Sequence, residues 1–332
     1  MPRPHPDRAA ASLLTDVLDA HSEERWLVAC DPIDDVTIAL QDLGADVAIW
    51  HRQATSGADA TAEPPAGNFS QVALRLPRDK VALELALELC AARMELGATL
   101  WLYGHNDEGV KSAGKRMAPW FTDITTVGAK RHCRLFRAIR GSQPARGDIA
   151  QHSTSVTIEL PGGPHTFNTW PGLFAKGKLD PATALLLSVL DKVELEGACL
   201  DFASGMGVIA AALRQRTEGA VHACDVDALA VRATGENVRR VKAMVGDAWD
   251  GTPAGATYSL IVSNPPLHRG HLMDFTVLDS LIDQAPARLL PGGALLMVVQ
   301  RQRPVSRNLK AGFESVEVLA ENGKFRVWYA RK

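Results

Sequence analysis

At 332 residues and 46% apolar content the chain can fill two hydrophobic cores, while a formal net charge of −2 excludes a uniformly basic nucleic-acid binder. Five scattered cysteines, none paired as Cys-x-x-Cys, exclude a disulfide framework and a zinc ribbon, and no metal site is expected. No run approaches the roughly 18 apolar residues of a membrane span and no signal-peptide core stands near the N-terminus, so the expected location is the cytoplasm.

In chain order, strands are predicted over residues 26–30, 46–50, 71–76 and 99–103. Helical stretches lie between them, the clearest being the Leu/Ala stripe of 80–96. The polar, turn-rich stretch Gly141-Ser142-Gln143-Pro144-Ala145-Arg146-Gly147-Asp148 reads as a domain boundary, giving domains over 1–145 and 150–332. The second half repeats the alternation, with strands predicted over 198–202, 220–225, 242–246, 259–263 and 294–299 and a closing pair over 313–319 and 324–329. Such alternation implies an α/β fold, a mostly parallel sheet with helices on both faces, twice over.

Chemistry concentrates at the strand ends of the second domain. The first predicted strand runs through Asp201 into Ala203-Ser204-Gly205-Met206-Gly207 and then a helix. Small residues let the backbone pass close to a ligand, and a helix N-terminus supplies free amides. There is no Gly-x-Gly-x-x-Gly and no Walker lysine, so a pyrophosphate is not the obvious guest. The second strand ends in Asp225-Val226-Asp227, an acidic position suited to two ribose hydroxyls. The third is followed by Asp247-Ala248, where a carboxylate could accept from an adenine amine. The fourth ends in Ser263-Asn264-Pro265-Pro266. Neither proline can donate a backbone hydrogen bond and each restricts the residue before it, so the strand stops abruptly. The Asn264 side chain and the Pro265 carbonyl are then presented where open α/β sheets bind ligands. Two oxygens and no charge suit an exocyclic amine.

The order glycine-rich loop, Asp, Asp, Asn-Pro-Pro resembles the class I, Rossmann-like S-adenosylmethionine methyltransferases that methylate amino groups on planar systems. The segments Thr166-Phe167-Asn168-Thr169-Trp170-Pro171-Gly172 and Leu179-Asp180-Pro181-Ala182-Thr183, with Gly104-His105-Asn106-Asp107-Glu108 and the closing Gly323-Lys324-Phe325-Arg326, narrow the likeness. They are similar to the bacterial small-subunit ribosomal RNA guanine-N2 methyltransferases over roughly residues 70–332. The resemblance implies two tandem Rossmann-like methyltransferase domains, of which only the second keeps the cofactor site. The first opens on Asp31-Pro32-Ile33-Asp34-Asp35, with no glycine and three carboxylates, a loop that would repel a carboxylate-bearing cofactor tail. It further implies S-adenosylmethionine as cofactor, held by Asp201, Ala203, Ser204, Gly205, Gly207, Asp225, Val226, Asp247, Ala248 and Asn264, with Asn264 and Pro265 catalytic. Pro266, Leu267, Lys176, Lys178 and Asp180 fall to the substrate.

Two departures stand out. Ala203 and Ser204 replace a glycine and a cysteine or alanine of the family loop, and alanine is costly there if its φ is positive. Leu267 replaces Phe or Tyr after Asn-Pro-Pro and forgoes stacking worth about 1–3 kcal/mol on a base. Between Lys111 and Arg140 there are eight Lys/Arg against one acidic residue. If that stretch is helical, Arg131, Arg134 and Arg137 share one face that could track an RNA backbone, while a strand would scatter them. The expected partner is ribosomal RNA or the small ribosomal subunit, and the expected state a monomer. Two alternatives stay open: another amino-methylating enzyme acting on adenine N6 or a protein glutamine, and a non-catalytic RNA-binding or ribosome-assembly module on a decayed methyltransferase fold.

Overall fold

A strand covered on both faces reads as an unbroken apolar run, and β1 (Arg25–Ala29) is of this kind, every residue after Arg25 being buried. The computed structural model describes residues 5–18, 24–54, 59–266, 268–269, 272–273 and 275–332. It divides into two compact units, Met1–His152 and Ser153–Lys332, the sequence having placed the boundary at 141–148.

In the first unit α1 (Pro6–Thr15) precedes β1, followed by α2 (Asp35–Asp42), β2 (Asp46–Trp50), β3 (Phe69–Arg75), α3 (Lys80–Ala91) and β4 (Met94–His105). Then come α4 (Ala113–Met117), β5 (Phe121–Lys130) and β6 (Cys133–Arg140). The sheet order is β2-β1-β3-β4-β6-β5. Pairs from β2 to β4 are parallel and β6 is antiparallel to both its neighbours. Ala10, Leu13 and Leu14 of α1 pack with Trp26, Val28, Ala73, Tyr103 and Leu135.

One expectation is corrected here, and one that the sequence left open takes its strand form. The helix predicted over 80–96 ends at Ala91, and the remaining residues open β4. Gly97, at φ 83, bulges that strand, so the pairing jumps from Phe69–Met94 to Gln71–Thr99 and leaves Leu96 72% exposed. Apolar content continued across the boundary and hid the change of period. The basic run is a β5–β6 hairpin, not a helix. Arg131 and His132 form its turn at φ 51 and 60, and Arg134 and Arg137, three apart on a strand, point to opposite faces. Arg137 lies over the Trp101 ring, and the buried Arg140 donates to the carbonyls of Ala91, Trp120, Gly141 and Gln143. Arg131, Arg134 and Arg137 therefore do not share one face.

The second unit begins with a hairpin, β7 (Thr154–Leu160) and β8 (Gly163–Thr169), then α5 (Pro181–Leu187) and β9 (Cys199–Phe202). It continues through α6 (Val208–Arg216), β10 (Val221–Asp225), α7 (Ala228–Asn237), β11 (Val241–Val245) and β12 (Tyr258–Ser263). After the two-residue strands β13 (His268–Arg269) and β14 (Leu272–Met273) come α8 (Thr276–Arg288), β15 (Leu289–Gln300), α9 (Ser306–Gly312), β16 (Ser315–Glu321) and β17 (Phe325–Arg331). The sheet runs β11-β10-β9-β12-β15-β17-β16, parallel except at β17. Leu200 and Phe202 join Ile261, Leu281 and Trp328 in one core, while Asp201 between them turns to the other face and meets α6. The chain leaves β9 towards β10 and returns on its other side at β12, so the topological switch lies at the carboxyl ends of β9 and β12.

The first sheet repeats the second without β11, since β2-β1-β3-β4-β6-β5 corresponds to β10-β9-β12-β15-β17-β16. Likewise α1 rests on β4, β6 and α2 as α5 rests on β15, β17 and α6. Among the described residues no helix is long and apolar enough to cross a membrane.

Candidate active site

At the switch point the chain leaves β9 through Ala203 (φ 62), Gly205 (φ 56) and Gly207 (φ 87). Gly207 has no room for a side chain, because a Cβ would stand 3.1 Å from the Thr234 backbone. Gly205 is the opposite case. A Cβ there would meet nothing within 4 Å, so the loop keeps an open side beside it. The Ser204 amide donates to the Cys224 carbonyl at 3.0 Å, and its hydroxyl lies 3.2 Å from that of Thr234. Met206 is buried at 3% exposure.

Two residues of α7 that sequence reasoning missed hold this loop in place. Thr234 donates its hydroxyl to the Gly205 carbonyl at 3.1 Å. Asn237 donates to the carbonyls of Met206 and Asn168, while its own Oδ1 accepts from the Asn168 amide. The loop is thereby tied to β8. Polar residues three apart near a helix end carry no distinctive signal, and only their burial, 0% and 8% exposed, marks them out.

The acidic positions close around the loop. Asp225 accepts from the Gly205 amide at 2.9 Å through Oδ2 and from the Asp227 amide at 3.0 Å through Oδ1. Val226 lies between them, and Asp227 caps α7 through the Leu229 amide. Asp247 and Ala248, the latter at φ 48, follow β11, where the Gly246 amide donates to the Asp225 carbonyl at 3.0 Å. Asp201 is fully buried. Its Oδ2 accepts from the Ala210 amide at 2.9 Å, while Oδ1 is buried with no hydrogen-bond partner. Burial, opposed by the Ala210 amide and helped by the Asp225 charge, pushes its pKa up to about 8.

Asn264 stands one residue beyond β12, whose Ser263 pairs with Phe202 of β9. Its Nδ2 donates to Asp180 Oδ2 at 2.9 Å and to Thr183 Oγ1 at 3.0 Å. The reversed amide would set two oxygens 2.9 Å apart against a carboxylate, so the orientation follows from electrostatics. Asp180, expected at the substrate, has Oδ2 engaged within the protein. It caps α5 by accepting from the amides of Ala182 and Thr183. Pro265 is buried and Pro266 exposed. Lys178 is exposed just beyond a short 3-10 turn. Leu267 and the side chain of Lys176 lie outside the described residues. Phe167 and Trp170 are buried packing residues.

An unpartnered buried carboxylate oxygen, a glycine with open space beside it and carboxylates ending successive strands suit a cationic nucleoside, and S-adenosylmethionine fits them. Comparison with known proteins decides the assignment. The methyltransferase small domain family matches residues 164–329, and the N-terminal part of the methyltransferase small domain matches residues 12–155. A Hahella chejuensis protein named ribosomal RNA small subunit methyltransferase C is 30% identical over 332 residues, covering 92% of this chain and 94% of its own. One of the same name from Chromohalobacter salexigens is 36% identical over 253 residues, covering 74% and 73%. The chain belongs to the ribosomal RNA small subunit methyltransferase C family. A T. thermophilus 16S rRNA N2 G1207 methyltransferase, solved in complex with AdoMet and guanosine, superposes with a TM-score of 0.85 at 23% identity. It covers 98% of this chain and 92% of that one and shares its two-domain fold.

The structure gives the loop departure a physical meaning. Ala203 holds the positive φ at which the sequence reading expected alanine to be costly. Cys30, directly after β1 in the first unit, likewise has a positive φ of 60. A left-handed alanine costs roughly 1–2 kcal/mol, partly offset by the greater unfolded-state freedom of glycine. Ala203→Gly is therefore expected to stabilise the protein by about 0.5–1 kcal/mol, against the usual loss for this change in a helix. A urea midpoint that falls in the variant would contradict the strain.

Proposed function

We propose that this protein transfers a methyl group from S-adenosylmethionine to the exocyclic N2 amine of a guanosine in 16S ribosomal RNA. The carrying observation is Asn264, whose amide nitrogen is held within the protein so that its oxygen is the group it can offer. The neighbouring Pro265 carbonyl supplies a second acceptor. An aromatic amine is a poor nucleophile because its lone pair is delocalised into the ring. Two acceptors on its hydrogens draw the lone pair out of conjugation and fix its direction, so the chain contributes positioning and electrostatics in place of a strong base.

In this reading Asp225, at the end of β10, takes the ribose hydroxyls, and Asp201 with the open side of Gly205 takes the cofactor's amino-acid portion. When bound, S-adenosylmethionine supplies an electrophilic methyl on a sulfonium. A target base inside a helix must first be flipped out, at a cost of a few kcal/mol. Ribosomal RNA, or the small subunit carrying it, is the partner in this reading, and the protein acts in the cytoplasm. One chain carries the loop, the acids and Asn-Pro-Pro within a single unit, which supports a monomer.

Calorimetric titration with S-adenosylmethionine and S-adenosylhomocysteine should show one site per chain at micromolar affinity. Tritiated-methyl transfer to 16S rRNA, free and within small subunits, followed by nucleoside digestion should place the label on N2-methylguanosine. Label on adenine or on protein would overturn the substrate assignment. Absence of binding to either ligand would overturn the enzyme assignment.

A further inference from the structure

We infer that Asp180 and Thr183 are positioning residues that make Asn264 an obligate acceptor, and so set the preference of the site for an amine. This rests on the reading of Asn264 as the amine's acceptor. A side-chain amide carries two hydrogens and one oxygen, and left to rotate it could present either end to a substrate. Here the nitrogen is held by two acceptors, Asp180 Oδ2 at 2.9 Å and Thr183 Oγ1 at 3.0 Å, which leaves the oxygen as the end the amide presents. The Thr183 hydroxyl in turn lies 3.4 Å from Asp180 Oδ2, with its own hydrogen directed there.

The three side chains form a closed polar ring at the junction of α5 and the end of β12. Asp180 is anchored independently of Asn264 by the amides of Ala182 and Thr183, at 2.9 and 3.0 Å. Pro181, at the first helical position, adds a fixed φ to the same turn. Thr183 is 6% exposed, so water competes poorly for its oxygen. The pin is therefore built on a capped helix end and not on a mobile loop. An amide held this way repels a carbonyl and attracts an NH2, which discriminates an amino-bearing base from one with oxygen at the corresponding position.

Helix capping and amide orientation can be separated by substitution. Serine caps as well as aspartate but is too short to reach Asn264, whereas asparagine caps and still offers an acceptor oxygen. Asp180→Ser is expected to lower kcat by about 10- to 100-fold, the scale of a misplaced reacting group, with the Kd for S-adenosylmethionine and the melting temperature close to wild type. Asp180→Asn should restore most of that loss. Thr183→Val, which removes one of the two acceptors, should lie between, and Thr183→Ser should behave as wild type.

A purely structural residue would not show epistasis with Asn264. The double variant Asp180→Ser/Asn264→Ala should be no slower than Asn264→Ala alone. Wild-type kcat in Asp180→Ser, or losses that multiply in the double variant, would overturn the inference. A second readout needs no turnover. In protein labelled with 15N-asparagine, the Asn264 side-chain amide should exchange slowly with solvent in wild type and in Asp180→Asn, and rapidly in Asp180→Ser. If the wild-type protein bound S-adenosylmethionine but methylated no guanosine, the proposed function would fail while the exchange comparison still decided the pin. Equal exchange in all three proteins would overturn it.

Discussion

Replacing Asn264 with alanine is expected to lower methyl transfer by about 10³-fold while leaving the fold and RNA affinity nearly intact, the magnitude being that of losing a preorganised transition-state contact. The interaction matters chiefly while the amine is being drawn out of conjugation, so the loss should fall on kcat and not on KM for RNA. Asn264 is partly exposed and its removal opens no apolar cavity, so large destabilisation has no source. Removing it does leave Asp180 and Thr183 short of one donor each, a small cost because Asp180 keeps its two helix amides. Single-turnover kinetics with saturating cofactor, beside filter binding of 16S rRNA, separates the two quantities. Unchanged transfer by Asn264→Ala would remove the basis of the proposed mechanism.

The second large effect belongs to Asp201. Burial disfavours the charged form of its carboxyl and pushes its pKa in the folded protein up to about 8, from an ordinary carboxylate value of 3.8. An acid whose folded pKa is raised contributes stability that is complete below its unfolded pKa and is lost as pH rises through its folded pKa. The ligand-free protein should therefore lose stability steadily between about pH 4 and pH 8 through this group, and Asp201→Asn should flatten that slope. Urea midpoints at several pH values test the sign. A cationic cofactor near the carboxyl would draw it back to the charged form, so binding near pH 7 should release a proton. Calorimetry in buffers of different ionisation enthalpy would register this in wild type and not in Asp201→Asn. The variant should also bind S-adenosylmethionine about 10- to 100-fold more weakly, the equivalent of one charge-assisted hydrogen bond. Equal affinity and equal slopes would show that Asp201 is only a brace for α6.

What could be read from the residues, and what could not, divides along covalent lines. Asn264-Pro265-Pro266 was legible because proline restricts its own backbone and that of its neighbour whatever the tertiary context. The loop through Gly205 and Gly207 was legible as a place of close backbone approach because small residues follow directly on a strand, and the structure adds their positive φ values. The partners of Asn264 were not, because 84 residues separate it from Asp180 and no periodicity links a helix cap to a strand end. Thr234 and Asn237 looked like ordinary helix residues until the loop folded against them. The basic run of β5 and β6 stayed undecided for another reason: charges three apart satisfy a helical face on paper, and only the alternating burial in β6 selects a strand.

The junction that holds Asn264 has a counterpart in the first unit with a different consequence. There Leu74 pairs with Ala29 at the end of β1, so Arg75, the last residue of β3, takes the place that Asn264 has one residue beyond β12. Its guanidinium meets Asp7 of α1 at 2.5 Å and Glu108 at 2.6 Å, with all three side chains 10% exposed or less. Removing one partner from a buried ion cluster strands a charge at a cost of about 3–5 kcal/mol, a large part of the 5–15 kcal/mol that holds a domain together. Each single substitution that would reopen this sheet edge to a ligand is thus penalised before any benefit appears. The equivalent sheet edge is closed by a buried ion cluster in the first unit, while in the second it carries the uncharged amide of Asn264.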